Sequence, residues 1–161
     1  MADFFIELLN FLSIEMIIPI ISMVPLIELR GAIPIGIIYG LNPWLVLLIT
    51  YPASLLPAPF IIVFIKTIFR WLSRNQFFAK VIQKIVVSNE QKHRHKIEKY
   101  GLIGLFIIVA IPLPGTGVWS GSLAAVLFNF KFGRAMVAII LGNLVAAIAI
   151  TLITMQAMAL F

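Results

Sequence analysis

Apolar residues run through this chain in blocks too long for the core of a soluble domain, and the polar positions between them mark where each block ends. Residues 2–12 set Phe4, Phe5, Leu8, Leu9, Phe11 and Leu12 against Asp3, Glu7 and Asn10. That is a helical apolar stripe with a polar margin, and it predicts an interfacial helix over 1–12. Ser13 is placed to cap a helix that begins at Ile14. This limb meets the stretch P-L-I-E-L-R-G-A-I-P-I-G at 25–36 after about 12 residues, a rise of about 18 Å against a hydrocarbon core of about 30 Å. Pro25 and Pro34 each remove an amide donor and Gly31 tolerates unusual dihedrals, so the helix is expected to break there and continue as a second limb over 32–39.

The turn Leu41-Asn42-Pro43 opens the uncharged block 43–65, long enough to span. Pro52, Pro57 and Pro59 predict kinks, whose freed carbonyls either line a cavity or merely accompany tighter packing. Block 102–111 rises only about 15 Å before P-L-P-G-T-G. Thr116 is a candidate cap for the short limb 118–128, which ends in Asn129, Lys131, Gly133 and Arg134. Residues 135–161 carry no charge and predict a full span. In that span Asn143 suits a hydrogen bond across a bundle better than a substrate contact.

Composition agrees with the pattern: 62% of residues are hydrophobic, 11% are charged, and the mean hydropathy is +1.12. The expected class is an all-α integral membrane protein. The net charge of +6 does not point to nucleic acid, because Lys66, Arg70, Arg74, Lys80, Lys84, Lys92, Arg94, Lys96 and Lys99 cluster in the connection 66–100. A basic, partly amphipathic connection belongs on the cytoplasmic face against anionic lipid. With no cysteine, and with His93 and His95 alone beside Arg94, no metal site or cofactor is expected. The absence of H-E-x-x-H, of G-x-S-x-G and of a histidine at membrane depth argues against an enzyme and assigns no catalytic residue. Ser120 and Ser122 are expected to bond to backbone. The N-terminus lacks the basic n-region of a signal peptide and reads as mature sequence.

Charge also decides between two topologies. If 14–41 and 102–130 were kinked full spans, the acidic N-terminus would be cytoplasmic and Lys131 and Arg134 outside, against the positive-inside bias. Re-entrant hairpins reverse both assignments. The expected fold therefore has two opposed re-entrant helical hairpins, 14–41 and 102–130. Each is followed by a transmembrane helix, 43–65 and 135–161, as an inverted repeat with both termini outside. A slide of 87 positions pairs Pro25 with Pro112 and Asn42 with Asn129, and Gly36 and Gly40 share their spacing with Gly117 and Gly121 as possible close-packing ridges. So small a body hardly encloses a solvated path alone, which leads to the expectation of a homodimer.

Glu28 and Arg30 are the charges set at membrane depth. An ionisable residue there costs at least about 2.5 kcal/mol and marks a substrate or ion path by default. With both second limbs starting at mid-depth, Arg30, Gly31 and Pro34 on one side and Pro112, Pro114, Gly115, Thr116 and Gly117 on the other form the candidate substrate site, suited to an anionic group. Glu28 either locks the hairpin through Arg30 or takes up a proton when an anion binds, coupling transport to the proton gradient.

The motifs E-L-R-G-A-I-P-I-G (28–36) and P-L-P-G-T-G-V-W-S-G (112–121), with a basic connection between them, resemble the small multidrug export protein family. That family is similar, at a distance, to the DedA or SNARE-associated membrane proteins, although the second motif here lacks the arginines of the DedA pattern. The resemblance implies a transporter in the cytoplasmic (inner) membrane of a prokaryote. It would move an amphipathic or anionic-headed small molecule or lipid, a polyprenyl phosphate in the DedA-type alternative, with membrane lipids as partners. A non-transporting, lipid-binding membrane organiser is the other reading of the same residues.

Because native cysteine is absent, single cysteines at Ala2, Asn129 and Phe161 report the topology directly. Hairpins predict labelling by an impermeant external thiol reagent at positions 2 and 161 only. Labelling at 129 alone would establish two kinked spans instead.

Overall fold

The computed structural model describes residues 13–72, 83–84, 87, 99–113 and 115–160, and every regular element among them is helical. Among these residues seven helices follow in order: α1 (Ile14–Met23), α2 (Glu28–Ile38), α3 (Pro43–Leu55), α4 (Pro57–Leu72), α5 (Leu102–Ala110), α6 (Val118–Leu127) and α7 (Phe132–Ala159). The expected interfacial helix 1–12 and most of the basic connection lie outside the described residues. Among the described residues two stretches are long and apolar enough to cross a bilayer, Pro43–Ile65 and Phe132–Ala159. Their outward faces are apolar as well. On α7 Leu141, Val145, Ile148 and Leu152 form one exposed stripe, as hydrocarbon rather than water would require.

The helix breaks follow from proline chemistry. Val24 precedes Pro25 and Ile111 precedes Pro112, and both adopt extended backbone (φ −74°, ψ 131° and φ −74°, ψ 121°), as the ring of the following proline demands. Val24 O then accepts from the amides of Ile27 and Glu28, so the first connection closes as a turn with Pro25 at its preset corner. The second limb consequently begins at Glu28 and not at residue 32.

Helices α2 and α6 end identically. Gly40 N–H donates to Ile37 O and Leu41 N–H to Gly36 O; Asn129 N–H donates to Val126 O and Phe130 N–H to Ala125 O. Gly40 (φ 86°) and Asn129 (φ 55°) occupy the left-handed position of this Schellman cap. The slide that pairs Pro25 with Pro112 therefore does not pair the helix ends, because the second connection is longer and Gly40 rather than Asn42 is the counterpart of Asn129. Asn42 instead caps α3, its Oδ1 accepting from Trp44 N–H at 2.9 Å, with Pro43 in the first turn where its missing amide costs nothing. The run 43–65 is interrupted at Leu56. Pro57 and Pro59 sit in the first turn of α4, so of the three prolines only Pro52 lies inside a helix.

The described residues fall into two compact units. One holds the residues up to Ser54 together with those from Ala147 onward. There α1 packs on α2, and Gly36 lets α2 approach Val46 of α3 to a distance at which an added Cβ would lie 2.9 Å from Val46 Cγ1. The other unit, Leu55–Ala146, packs α6 against α4 and α5 over a core of Ala58, Leu105, Val109, Ala124, Ala138 and Ile139. Alanines set close helix approach where lipid removes most of the hydrophobic drive for association. Gly121 meets Val109 in the same way: a Cβ added there would lie 2.5 Å from Val109 Cγ2. The two expected glycine ridges thus divide their labour: Gly36 and Gly121 supply closeness, whereas Gly40 and Gly117 supply backbone at positive φ.

Gly142 of α7 lies against the backbone of α5, where a Cβ would fall 2.7 Å from Phe106 O and 3.2 Å from Ala110 N. Gly142→Ala should destabilise the protein by about 1–3 kcal/mol. Gly133→Ala, which meets nothing within 4 Å, should leave stability unchanged or raised. Thermal melts of the two variants in detergent check the contrast, and equal shifts would contradict this packing.

Candidate functional site

At the start of α2, two charges meet inside a fold whose described residues otherwise bury almost none. Arg30 Nη1 donates to Glu28 Oε2 at 2.5 Å. Glu28 is 4% exposed, and the Arg30 side chain keeps 15% of its surface. On a regular helix, residues two apart point about 200° from each other and cannot pair. Here they pair because Glu28 is the first residue of α2 and takes φ 49°, in the left-handed region that side chains other than glycine seldom adopt. Such a conformation costs on the order of 1–3 kcal/mol and persists only where surrounding contacts hold it, which is typical of working sites.

Gly31 has a different role from the expected one. It is regular helix, its N–H donating to Ile27 O at 3.0 Å, and its missing side chain leaves room for Ile27 Cγ2, into which a Cβ would run. Pro34 lies within α2 and withholds the amide that a regular helix would direct at the carbonyl of residue 30. The first unit therefore gathers Glu28, Arg30, Gly31 and Pro34 within a single break and the helical turns after it.

The remaining candidates form the connection before α6 in the second unit. Leu113 N–H donates to Ile111 O at 2.9 Å across Pro112, a three-residue turn. Thr116 is not the cap of α6. Its Oγ1 reaches back to Ile111 O (2.8 Å) and Leu113 O (2.7 Å), so it ties the connection to the end of α5. Gly117 takes the capping position at φ 128°, and Gly115 also has positive φ, at 71°. Pro114 lies outside the described residues.

Several helical hydroxyls bond locally. Ser22, Thr50, Ser54, Thr151 and Thr154 donate to carbonyls three or four residues back. Ser120 Oγ makes a long contact to Gly117 O at 3.4 Å. Ser122 departs from expectation: it is fully buried, and its Oγ has no hydrogen-bond partner among the described residues. Asn143 is buried at 1% exposure. His93 and His95 lie outside the described residues.

Helices throughout the described residues, apolar outer faces and two bilayer-length stretches among them define a helical membrane protein, with a buried ion pair at one helix break. The family model described as "Putative small multi-drug export protein" matches residues 28–149, and the chain belongs to that family. The match opens at Glu28, the first residue of the break just described. No curated protein and no solved structure matches the chain.

Removing one partner of a buried pair strands the other charge at a cost of about 3–5 kcal/mol, whereas removing both relieves it. Glu28→Gln alone should lower the melting temperature clearly. The double change Glu28→Gln with Arg30→Gln should recover much of the loss, as read in a thermal double-mutant cycle. Additive losses would show that the two side chains act independently.

Proposed function

We propose that this protein is a carrier that moves an amphipathic, anionic-headed small molecule or lipid across the cytoplasmic membrane, with Arg30 as the group that holds the anion. The observation that carries the proposal is the buried Glu28–Arg30 pair on a strained helix start. A guanidinium offers a planar fork to a phosphate or carboxylate.

The exchange balances charge. With no substrate bound, the Glu28 carboxylate neutralises Arg30. When a substrate anion takes its place on the guanidinium, Glu28 accepts one proton, and the buried site remains neutral in both states. Anion and proton then cross together, and the sum of their gradients sets the direction.

The hairpin topology belongs to the same proposal. Leu102 and Gly133 line one groove in the second unit, although a continuous helix between them would carry them more than 40 Å apart at about 1.5 Å per residue. This supports a fold-back at 111–117. The packing of α1 on α2 supports a fold-back at 24–27, and the matched caps at Gly40 and Asn129 support a repeat. The basic connection on the cytoplasmic side and assembly as a homodimer complete the proposed arrangement.

A second reading takes the ion pair as a clamp that only holds the break closed, favoured by the near-complete burial of Glu28. Transport separates the two. In liposomes of defined lipid containing the purified protein and a trapped pH dye, a panel of alkyl phosphates and alkyl carboxylates should drive proton movement through the unmodified chain. Arg30→Gln should reduce the flux at least about tenfold while the protein stays folded, and the double neutral variant should stay inactive even where stability returns. Restored flux in the double variant would establish the clamp and defeat the carrier mechanism.

A further inference from the structure

A second charged position stands at the mouth of a groove that the transport proposal does not use. In the second unit, the first half of α5 and the first turns of α7 leave between them an open apolar groove of about 410 Å³. Leu102, Ile103 and Phe106 form one wall, and Val137, Ala138 and Leu141 the other. Arg134 also lines it. On α7 the residues 134, 137, 138 and 141 succeed one another along one helical face, so the guanidinium stands at one end of the trough and the aliphatic side chains continue from it.

The groove closes where Gly142 brings α7 onto the backbone of α5, so apolar length leads inward from a charged mouth. The remainder of α7 to Ala159 has no charge, which sets Arg134 and Lys131 at the hydrocarbon boundary and the trough within the hydrocarbon. Arg134 and Lys131 are exposed, and the described residues of this unit contain no Asp or Glu to neutralise them.

We propose that this groove is a binding site for an anionic phospholipid, one acyl chain lying along Phe106, Val137 and Leu141 and the headgroup phosphate on the Arg134 guanidinium. The charge complementarity is specific. A cation without a carboxylate partner among the described residues stands where headgroups lie, at the open end of a trough that offers an acyl chain only aliphatic and aromatic contact. The site is independent of Glu28 and Arg30, and it holds whether or not those residues carry substrate.

The test is native mass spectrometry of the detergent-purified full chain, titrated with dioleoyl phosphatidylglycerol or dioleoyl phosphatidylcholine. The unmodified protein should retain one phosphatidylglycerol with about fivefold preference over phosphatidylcholine, the discrimination expected of one basic residue at a membrane surface. Arg134→Gln should bring the two lipids to parity, and Arg134→Lys should restore most of the preference. Gly133→Trp, at a position with open space around it, should fill the trough and weaken both lipids. Lys84→Gln, a change in the basic connection, should leave the preference intact.

Equal retention of both lipids by the unmodified chain would overturn the site. So would a preference that survives Arg134→Gln and is lost in Lys84→Gln. Displacement of the retained lipid by inorganic phosphate at the lipid's own concentration would also overturn it, because the trough would then contribute nothing.

Discussion

In a medium that offers almost no water, every amide and carbonyl released from a helix has to be answered by the chain itself, and this requirement shapes the molecule. Prolines at 25 and 112 break the helices, and in each case a few residues resolve the consequences on the spot. Val24 O collects the amides of Ile27 and Glu28, while the Thr116 hydroxyl reaches the carbonyls of Ile111 and Leu113. The caps at Gly40 and Asn129 use the same pair of backbone bonds to finish the helices that follow. Breaks of this kind place irregular backbone within apolar surroundings, where a charged side chain can be held.

The buried pair at Glu28 and Arg30 depends on that geometry. Two residues apart on a regular helix, the side chains would diverge; at a helix start with left-handed backbone they meet. Strain in the main chain and desolvation of two charges are both unfavourable, and both are tolerated at the same residue. The family match begins at that residue and runs to residue 149. Close packing is arranged separately, by glycines and alanines that let helices approach where larger side chains would hold them apart.

Much of the architecture is legible in the chain alone. Uninterrupted apolar length gives the bilayer spans, and the turns at Asn42-Pro43 and after Leu127 lie where polar and helix-breaking residues interrupt it. The isolation of Glu28 and Arg30 can be read because no other charge lies between Glu15 and Lys66. Less legible is the job of each glycine. Gly31 has the makings of a hinge and is regular helix, whereas the unusual backbone falls on Glu28, which no propensity argument selects. Thr116 has the position of a helix cap and instead reaches backwards, because a hydroxyl in a tight turn bonds to whichever carbonyl the fold presents.

The sequence by itself determined the medium and the order of elements, because hydrophobic length and proline position act locally, through transfer free energy and through the fixed φ of the pyrrolidine ring. Tertiary structure alone decided which glycines face another helix, which side chain turns back to meet Arg30, and that the beginnings of α5 and α7 frame a groove beside Arg134. Those outcomes depend on distances between segments far apart in the chain. A one-dimensional pattern carries no such distances; they are set only when helices pack to van der Waals contact.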